Sequence, residues 1–139
     1  MDIRQITPRY SVSPQISAED LPAIKAAGFA RVICNRPDEE VPASHQAAAI
    51  AAAAQIAGLD FVILPLTHQS MTPERVAQQS GAIDTADGPV LAYCASGTRC
   101  SVIWALSQAG HRSADEILSM TAAAGYMLDQ LRPRLENQG

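Results

Sequence analysis

The chain has 139 residues and a mass of 14.7 kDa, the size of one domain. It is 47% hydrophobic and only 4% aromatic, and 25 of its residues are Ala, so much of the apolar fraction is small side chain; it is still too apolar for a disordered chain. Ten basic residues against 14 acidic ones give a net charge of −4, which argues against duplex nucleic acid or an anionic membrane as the main partner and leaves room for one local site for a small anion.

The start, Met1-Asp2-Ile3-Arg4-Gln5, lacks the apolar run of a secretory signal. The Ala-rich run from Ala47 to Ala57 is interrupted by Gln55 and falls short of the roughly 18 apolar residues that span a bilayer. Cys34, Cys94 and Cys100 are an odd set that does not read as a disulfide framework. The expectation is a soluble, cytoplasmic protein with reduced thiols.

In chain order, strands and helices alternate. Ile3 to Ile6 and Tyr10 to Val12 are short strands around a turn at Pro8. Ser17, Glu19 and Asp20 open a helix that carries Leu21, Ile24 and Ala27 and stops at Gly28. Ala30 to Cys34 reads as a buried strand, followed by the polar loop Asn35 to Glu40. A helix is expected from about Pro42 to Ala57, ended by Gly58, and then a strand from Phe61 to Leu64. Thr72 fits an N-cap and Pro73 the first position of a helix reaching Ile83. Pro89 to Tyr93 is a further apolar strand, and a helix runs from about Cys100 to Ala109. Ser113 starts another, and Gly125 to Leu135 holds a last short one. This alternation predicts a single three-layer α/β domain with a mainly parallel sheet flanked by helices.

The segment that carries chemistry is Val90-Leu91-Ala92-Tyr93-Cys94-Ala95-Ser96-Gly97-Thr98-Arg99-Cys100-Ser101. A buried strand runs into a cysteine, a loop of small residues follows, and a helix begins. In open α/β sheets, ligands bind where strand C-termini meet helix N-termini. The amides of Ala95, Ser96, Gly97 and Thr98 can cradle an anion there, and Arg99 can offer a planar fork of donors. That field also stabilises a Cys94 thiolate. Cys100, in the first turn of the helix, reads either as a second thiol that resolves a modified Cys94 or as plain core, and core is the simpler reading. Cys34 reads as a small core hydrophobe.

Together with Tyr10-Ser11-Val12-Ser13-Pro14-Gln15-Ile16, Gly28-Phe29 and Val32-Ile33-Cys34-Asn35-Arg36-Pro37-Asp38-Glu39-Glu40, this loop resembles the cysteine-dependent, dual-specificity-like phosphatases. More closely, the chain resembles the bacterial beta-lactamase-hydrolase-like family, to which both phosphatase and sulfurtransferase activities are ascribed. The resemblance implies a phosphatase-like α/β fold, with Cys94 as nucleophile and Arg99 as anion ligand.

The sequence departs from the phosphatase pattern in three ways. Four residues, not five, separate Cys94 from Arg99, the count of many rhodaneses. Tyr93 stands where such phosphatases usually have His, and Cys100 replaces the hydroxyl residue after the Arg, leaving Ser101 as a substitute one place later. The stretch Leu64-Pro65-Leu66-Thr67-His68-Gln69 lacks the Asp that protonates a leaving alcohol. His68 and the loop acids Asp38, Glu39 and Glu40 are the stand-ins, each more simply a solvated residue. Sulfite leaving from thiosulfate needs no such acid.

Arg36 could contact an anion from the neighbouring loop, but a structural pairing with Asp38 or Glu39 is the simpler expectation. Trp104 and Leu106 read as core. His45, His68 and His111 are scattered, so neither a metal nor another cofactor is expected. The function expected is a sulfurtransferase carrying sulfane sulfur as a persulfide on Cys94, acting on a small anionic or thiol substrate. The alternatives are a cysteine-dependent phosphatase and a catalytically idle anion- or partner-binding module. Oligomeric state is not legible.

Overall fold

Val90–Tyr93 is the central strand of a five-stranded sheet, and all four of its residues are buried. In the computed structural model, which describes residues 1–136, the strands are β1 (Arg4–Thr7), β2 (Tyr10–Ser13), β3 (Arg31–Cys34), β4 (Asp60–Ile63) and β5 (Val90–Tyr93), in the order β1-β2-β5-β3-β4. Only β1 is antiparallel to its neighbour. The helices are α1 (Leu21–Ala26), α2 (Ala47–Ala57), α3 (Pro73–Asp84), α4 (Thr98–Gln108), α5 (Ala114–Ala123) and α6 (Arg132–Glu136). The mainly parallel three-layer α/β architecture is the one expected from the alternation of strand and helix signals.

The period of the strand divides the core in two. From β5, Leu91 and Tyr93 join Ile16, Leu21, Ile24 and Ile50 beneath α1 and α2. Val90, Ala92 and the following Cys94 point the other way, toward Ile103, Trp104 and Ile117 beneath α4 and α5. Helix α4 is buried without a break from Arg99 to Ala105, which places its N-terminus deep against the sheet. Trp104 is core as expected, and Leu106 packs against the same cluster while partly exposed.

Register fixes where the site lies. Tyr93 stands level with Ser13 on one side and Cys34 on the other, and Cys34 is level with Ile63. The loops after β2, β3, β4 and β5 therefore leave the sheet at one edge, the place where a parallel sheet presents ligands.

Several boundaries differ from those expected. Ala43–His45 is a separate 3-10 turn and Gln46 is extended, so α2 starts at Ala47 instead of Pro42. Gly97, at φ +92°, turns the chain directly into α4, so this helix starts at Thr98 and not at Cys100. The stretch from Gly125 to Leu135 is helical only in its second half: residues 126–128 carry no regular structure, Asp129–Leu131 is a 3-10 turn, and the last short helix starts at Arg132. Thr72 and Ser113 cap α3 and α5 as their sequences imply, accepting from the amides of Arg75 at 3.2 Å and Glu116 at 3.1 Å. No helix among the described residues is long and apolar enough to cross a membrane.

Candidate active site

Cys94 sits one residue past β5, with its amide tied to the Ser13 carbonyl at 3.4 Å and its side chain buried at 1% exposure. From there the backbone curls around the sulfur. The Gly97 amide donates to Cys94 Sγ at 3.2 Å. The Cys94 thiol is lowered to about 5, first by a hydrogen bond from the Cys100 side chain and then by the amides of Cys100, Ser96 and Gly97, against the opposing effect of burial. Cys100 itself is fully buried and held well above the usual thiol range by that burial and by its neighbour. Ionisation is thus favoured at Cys94 and disfavoured at Cys100.

Arg99 enters from the first turn of α4 with its side chain nearly buried. Its Nη1 donates to Glu40 Oε2 at 2.8 Å and to the Leu66 carbonyl at 2.9 Å, and its Nη2 donates to Glu40 Oε1 at 2.7 Å. A guanidinium carries five N–H groups. Three are spent, which leaves Nε–H and the second Nη2–H as a parallel pair on one edge. Glu40 and the charge of the Cys94 thiolate both hold this guanidinium more firmly protonated. That free edge has the geometry to grip two oxygens of one anion.

The rest of the loop is arranged around this pair. Ala95 and Ser96 are exposed, Gly97 is buried, and Ser96 Oγ accepts from the Thr98 amide at 3.3 Å and bonds the Thr98 hydroxyl at 2.9 Å. Ser101 does not place its hydroxyl at Cys94. Its Oγ donates to the Gly97 carbonyl at 2.8 Å, back along its own helix, and the Cys100 thiol faces Cys94 instead.

Arg36 lies at the rim. It pairs with Glu40 Oε1 at 3.2 Å, and its Nη1 donates to Gln15 Oε1 at 3.2 Å. Its partners are not Asp38 or Glu39, because the 3-10 turn Asp38–Glu40 swings Glu40 back toward the sheet edge. Asp38 accepts from the Ala47 amide at 2.8 Å and so closes the N-terminus of α2. His68 is exposed on the loop after β4. Tyr93 points away from the anion loop into the α1–α2 core, where its hydroxyl is buried beside the Cys34 sulfur with no nitrogen or oxygen partner.

Three contributors carried no signal in the motif. Glu40 is the grip on Arg99, although it reads as one of three solvated acids. The Leu66 carbonyl is fixed by its own amide on Asn35 at 2.8 Å. Asn35 and Gln79, both buried, exchange two side-chain bonds of 2.9 Å, and Gln79 donates on to Tyr10, whose hydroxyl holds the Cys100 carbonyl at 2.8 Å. A polar run at Asn35 in an otherwise apolar strand end was the only visible trace of this buried chain. A groove of about 280 Å³ between α3 and α4, lined by Met71, Val76, Leu106 and Arg134, includes none of the loop residues.

A loop that carries a buried cysteine between a central parallel strand and a buried helix, closed by an arginine, is the arrangement of a phosphatase-like α/β fold. The model of the beta-lactamase hydrolase-like protein, phosphatase-like domain, matches residues 2–111, and the chain belongs to that family. A beta-lactamase hydrolase-like protein of Xylella fastidiosa is 33% identical over 140 residues, 99% of this chain and 32% of the relative. The chain thus spans about a third of the length of the curated relatives it matches. The crystal structure of a candidate phosphatase from Neisseria meningitidis Z2491 is 35% identical, covers 100% of this chain and 99% of its own, and superposes with a TM-score of 0.89. P. aeruginosa TpbA, in complex with pTyr, shares the fold at 16% identity and a TM-score of 0.65, covering 98% of this chain and 91% of its own.

Proposed function

We propose that Cys94 is a covalent nucleophile that accepts sulfane sulfur from a small anionic donor and passes it to a thiol or cyanide. The carrying observation is where the site's acids go: Glu40 is bound to Arg99, Asp38 is bound to the Ala47 amide, and Glu39 between them is exposed on the turn. The loop after β4 carries His68 but no carboxylate. A thiolate with a pKa of about 5 is therefore available at neutral pH, with no carboxylic acid assigned to a leaving alcohol.

With thiosulfate, the Cys94 thiolate attacks the outer sulfur. A sulfur–sulfur bond forms to Cys94, the bond to the sulfonate sulfur breaks, and its electron pair departs with sulfite. Cys94 is left as a persulfide anion. An acceptor thiolate or cyanide then attacks the terminal sulfur and returns the Cys94 thiolate, with no outside oxidant or reductant. The free edge of Arg99 binds two sulfonate oxygens, and the loop amides bind the remaining charge.

Phosphate-ester hydrolysis through a phosphocysteine is the second reading, and family membership together with the phosphatase neighbours favours it over sulfur transfer. The leaving alcohol would then take its proton from His68 or from water. Parallel assays with thiosulfate plus cyanide and with an aryl phosphate, each with wild type and Cys94→Ser, decide between the two. Phosphatase turnover that Cys94→Ser abolishes, without thiocyanate formation, overturns sulfur transfer. Silence in both marks an anion- or partner-binding module. Three buried thiols suit a reducing compartment such as the cytoplasm.

A further inference from the structure

The Ser96–Gly97 peptide unit is bonded at both ends. Its N–H donates to Cys94 Sγ at 3.2 Å, and its carbonyl accepts from the Tyr126 hydroxyl at 3.0 Å. A trans peptide is planar, and its N–H and C=O point in opposite directions. Anchoring the carbonyl therefore aims the amide. Rotation of this unit would turn the Ser96 oxygen toward the thiolate and set negative charge against negative charge.

Tyr126 is itself held from behind. It is 8% exposed and follows Gly125, whose φ of +100° makes the turn out of α5. Arg4 of β1 donates from Nη1 to the Ala124 carbonyl at 3.1 Å, and its guanidinium lies 5.8 Å from the centre of the Tyr126 ring. Both glycines are required by this stack. A Cβ at Gly97 would collide with the Tyr126 hydroxyl, and one at Gly125 would collide with the Arg4 guanidinium. Gly125 and Tyr126 lie beyond residues 2–111, the part matched by the family model.

We propose that Tyr126 is a positioning residue that locks the Ser96–Gly97 peptide with its amide on Cys94, and that Arg4 locks Tyr126. The helical segment after residue 111 is then part of the catalytic apparatus and more than a cover for the core. The inference rests on Cys94 being the nucleophile and is indifferent to whether sulfur or phosphate is transferred.

The test uses the full chain and Tyr126→Phe, which removes only the hydroxyl. Iodoacetamide labelling of Cys94, followed by peptide mass mapping from about pH 4 to pH 9, reads the thiolate directly. Cys100, Arg99, Tyr10 and Tyr126 face this sulfur from α4, β2 and the C-terminal segment, and Cys34 lies across the sheet on the other core; the arginine stays charged, and burial raises the thiols and phenols. Glu40, behind Arg99, is held low by it. Loss of one hydrogen bond to the loop should slow labelling at pH 5 about three- to fivefold and lower kcat by about tenfold, with less effect on KM. Arg4→Gln, at a half-exposed side chain, should shift both in the same direction by a smaller factor, and it decides the matter if Tyr126→Phe does not fold. An unmoved labelling profile in Tyr126→Phe, even with reduced turnover, overturns the positioning role. A wild-type Cys94 that titrates near about 8.5 overturns the nucleophile reading and this inference with it.

Discussion

Glu40 holds Arg99 by both terminal nitrogens, and this one carboxylate fixes which edge of the guanidinium is left open. It reaches Arg99 from the 3-10 turn after β3, 59 residues away in sequence. With Leu66 taking a third N–H, the nearly buried side chain cannot rotate without breaking the charge-assisted bonds to Glu40.

Glu40→Gln should therefore reduce turnover without removing any group that touches the reacting atoms. The amide keeps one acceptor and loses the charge, so Arg99 samples orientations in which its free edge is misaligned. A fall of about tenfold in kcat/KM is expected for one weakened charged hydrogen bond. The Arg99 guanidinium, and then Arg36, hold the Glu40 carboxyl below the ordinary carboxylate range. A group lowered on folding adds stability that is present above its unfolded value of about 4.3 and lost as pH falls through its folded value. The difference in unfolding temperature between wild type and Glu40→Gln should persist at pH 5 and close below about pH 4. A difference that stays constant into acid would show that the ion pair does not carry it.

The same sign applies to Cys94 in a different window. Its folded value is about 5, against an unfolded value of about 8.5. Between these limits the unfolded chain binds a proton that the folded chain does not, so stability rises with pH. Wild type should gain stability relative to Cys94→Ser as pH increases from about 5 to about 8.5, then level off. Parallel melting curves across this range would refute the buried thiolate.

Much of the frame was legible because it rests on local signals. Alternating apolar runs, Thr72-Pro73 and Ser113 as helix starts, and a strand running into Cys94 fix the sheet, its direction and the edge that carries chemistry. Glu40, Tyr126 and the Asn35–Gln79–Tyr10 chain were not legible, because each acts across more than 25 residues and depends on register rather than spacing. An acidic triplet gives no sign of which member turns inward. That is set by Asp38, whose bond to the α2 amide commits the first acid and rotates the third toward Arg99. The hydroxyl expected from Ser101 failed for a related reason: a serine inside a helix reaches its own preceding turn, here the Gly97 carbonyl, more readily than a loop.

Cys100 gives a prediction that separates donor from bystander. Its thiol is the largest influence holding Cys94 ionised, and it is completely buried. Cys100→Ala should raise the pH at which Cys94 is alkylated and slow turnover by about fivefold, the effect of one neutral hydrogen bond. Cys100→Ser should restore both, since a hydroxyl donates at least as well in nearly the same volume. If alanine and serine behave alike, Cys100 acts through packing alone.

Arg99→Lys tests the fork itself. In wild type, Glu40 and Leu66 take three of the five N–H groups, which leaves the edge formed by Nε and Nη2 for the substrate proposed above. A lysine ammonium has three donors in a cone on a flexible stem. If it satisfies Glu40 and Leu66, one donor is left and the second substrate oxygen goes unpaired. If it turns to the substrate, Glu40 loses its partner and the loop loses the contact that orients residue 99. Either outcome costs about 1.5–3 kcal/mol, roughly ten- to a hundredfold in turnover. Thiolate formation should change far less, because Cys100 and the loop amides are the main influences that lower Cys94 and all of them remain, as does a positive charge at position 99. Alkylation of Cys94 at neutral pH should thus stay near the wild-type rate while catalysis collapses. A mutant that retains wild-type turnover would show that the anion is held by backbone amides alone. One that loses alkylation as well would show that Arg99 serves the nucleophile rather than the substrate.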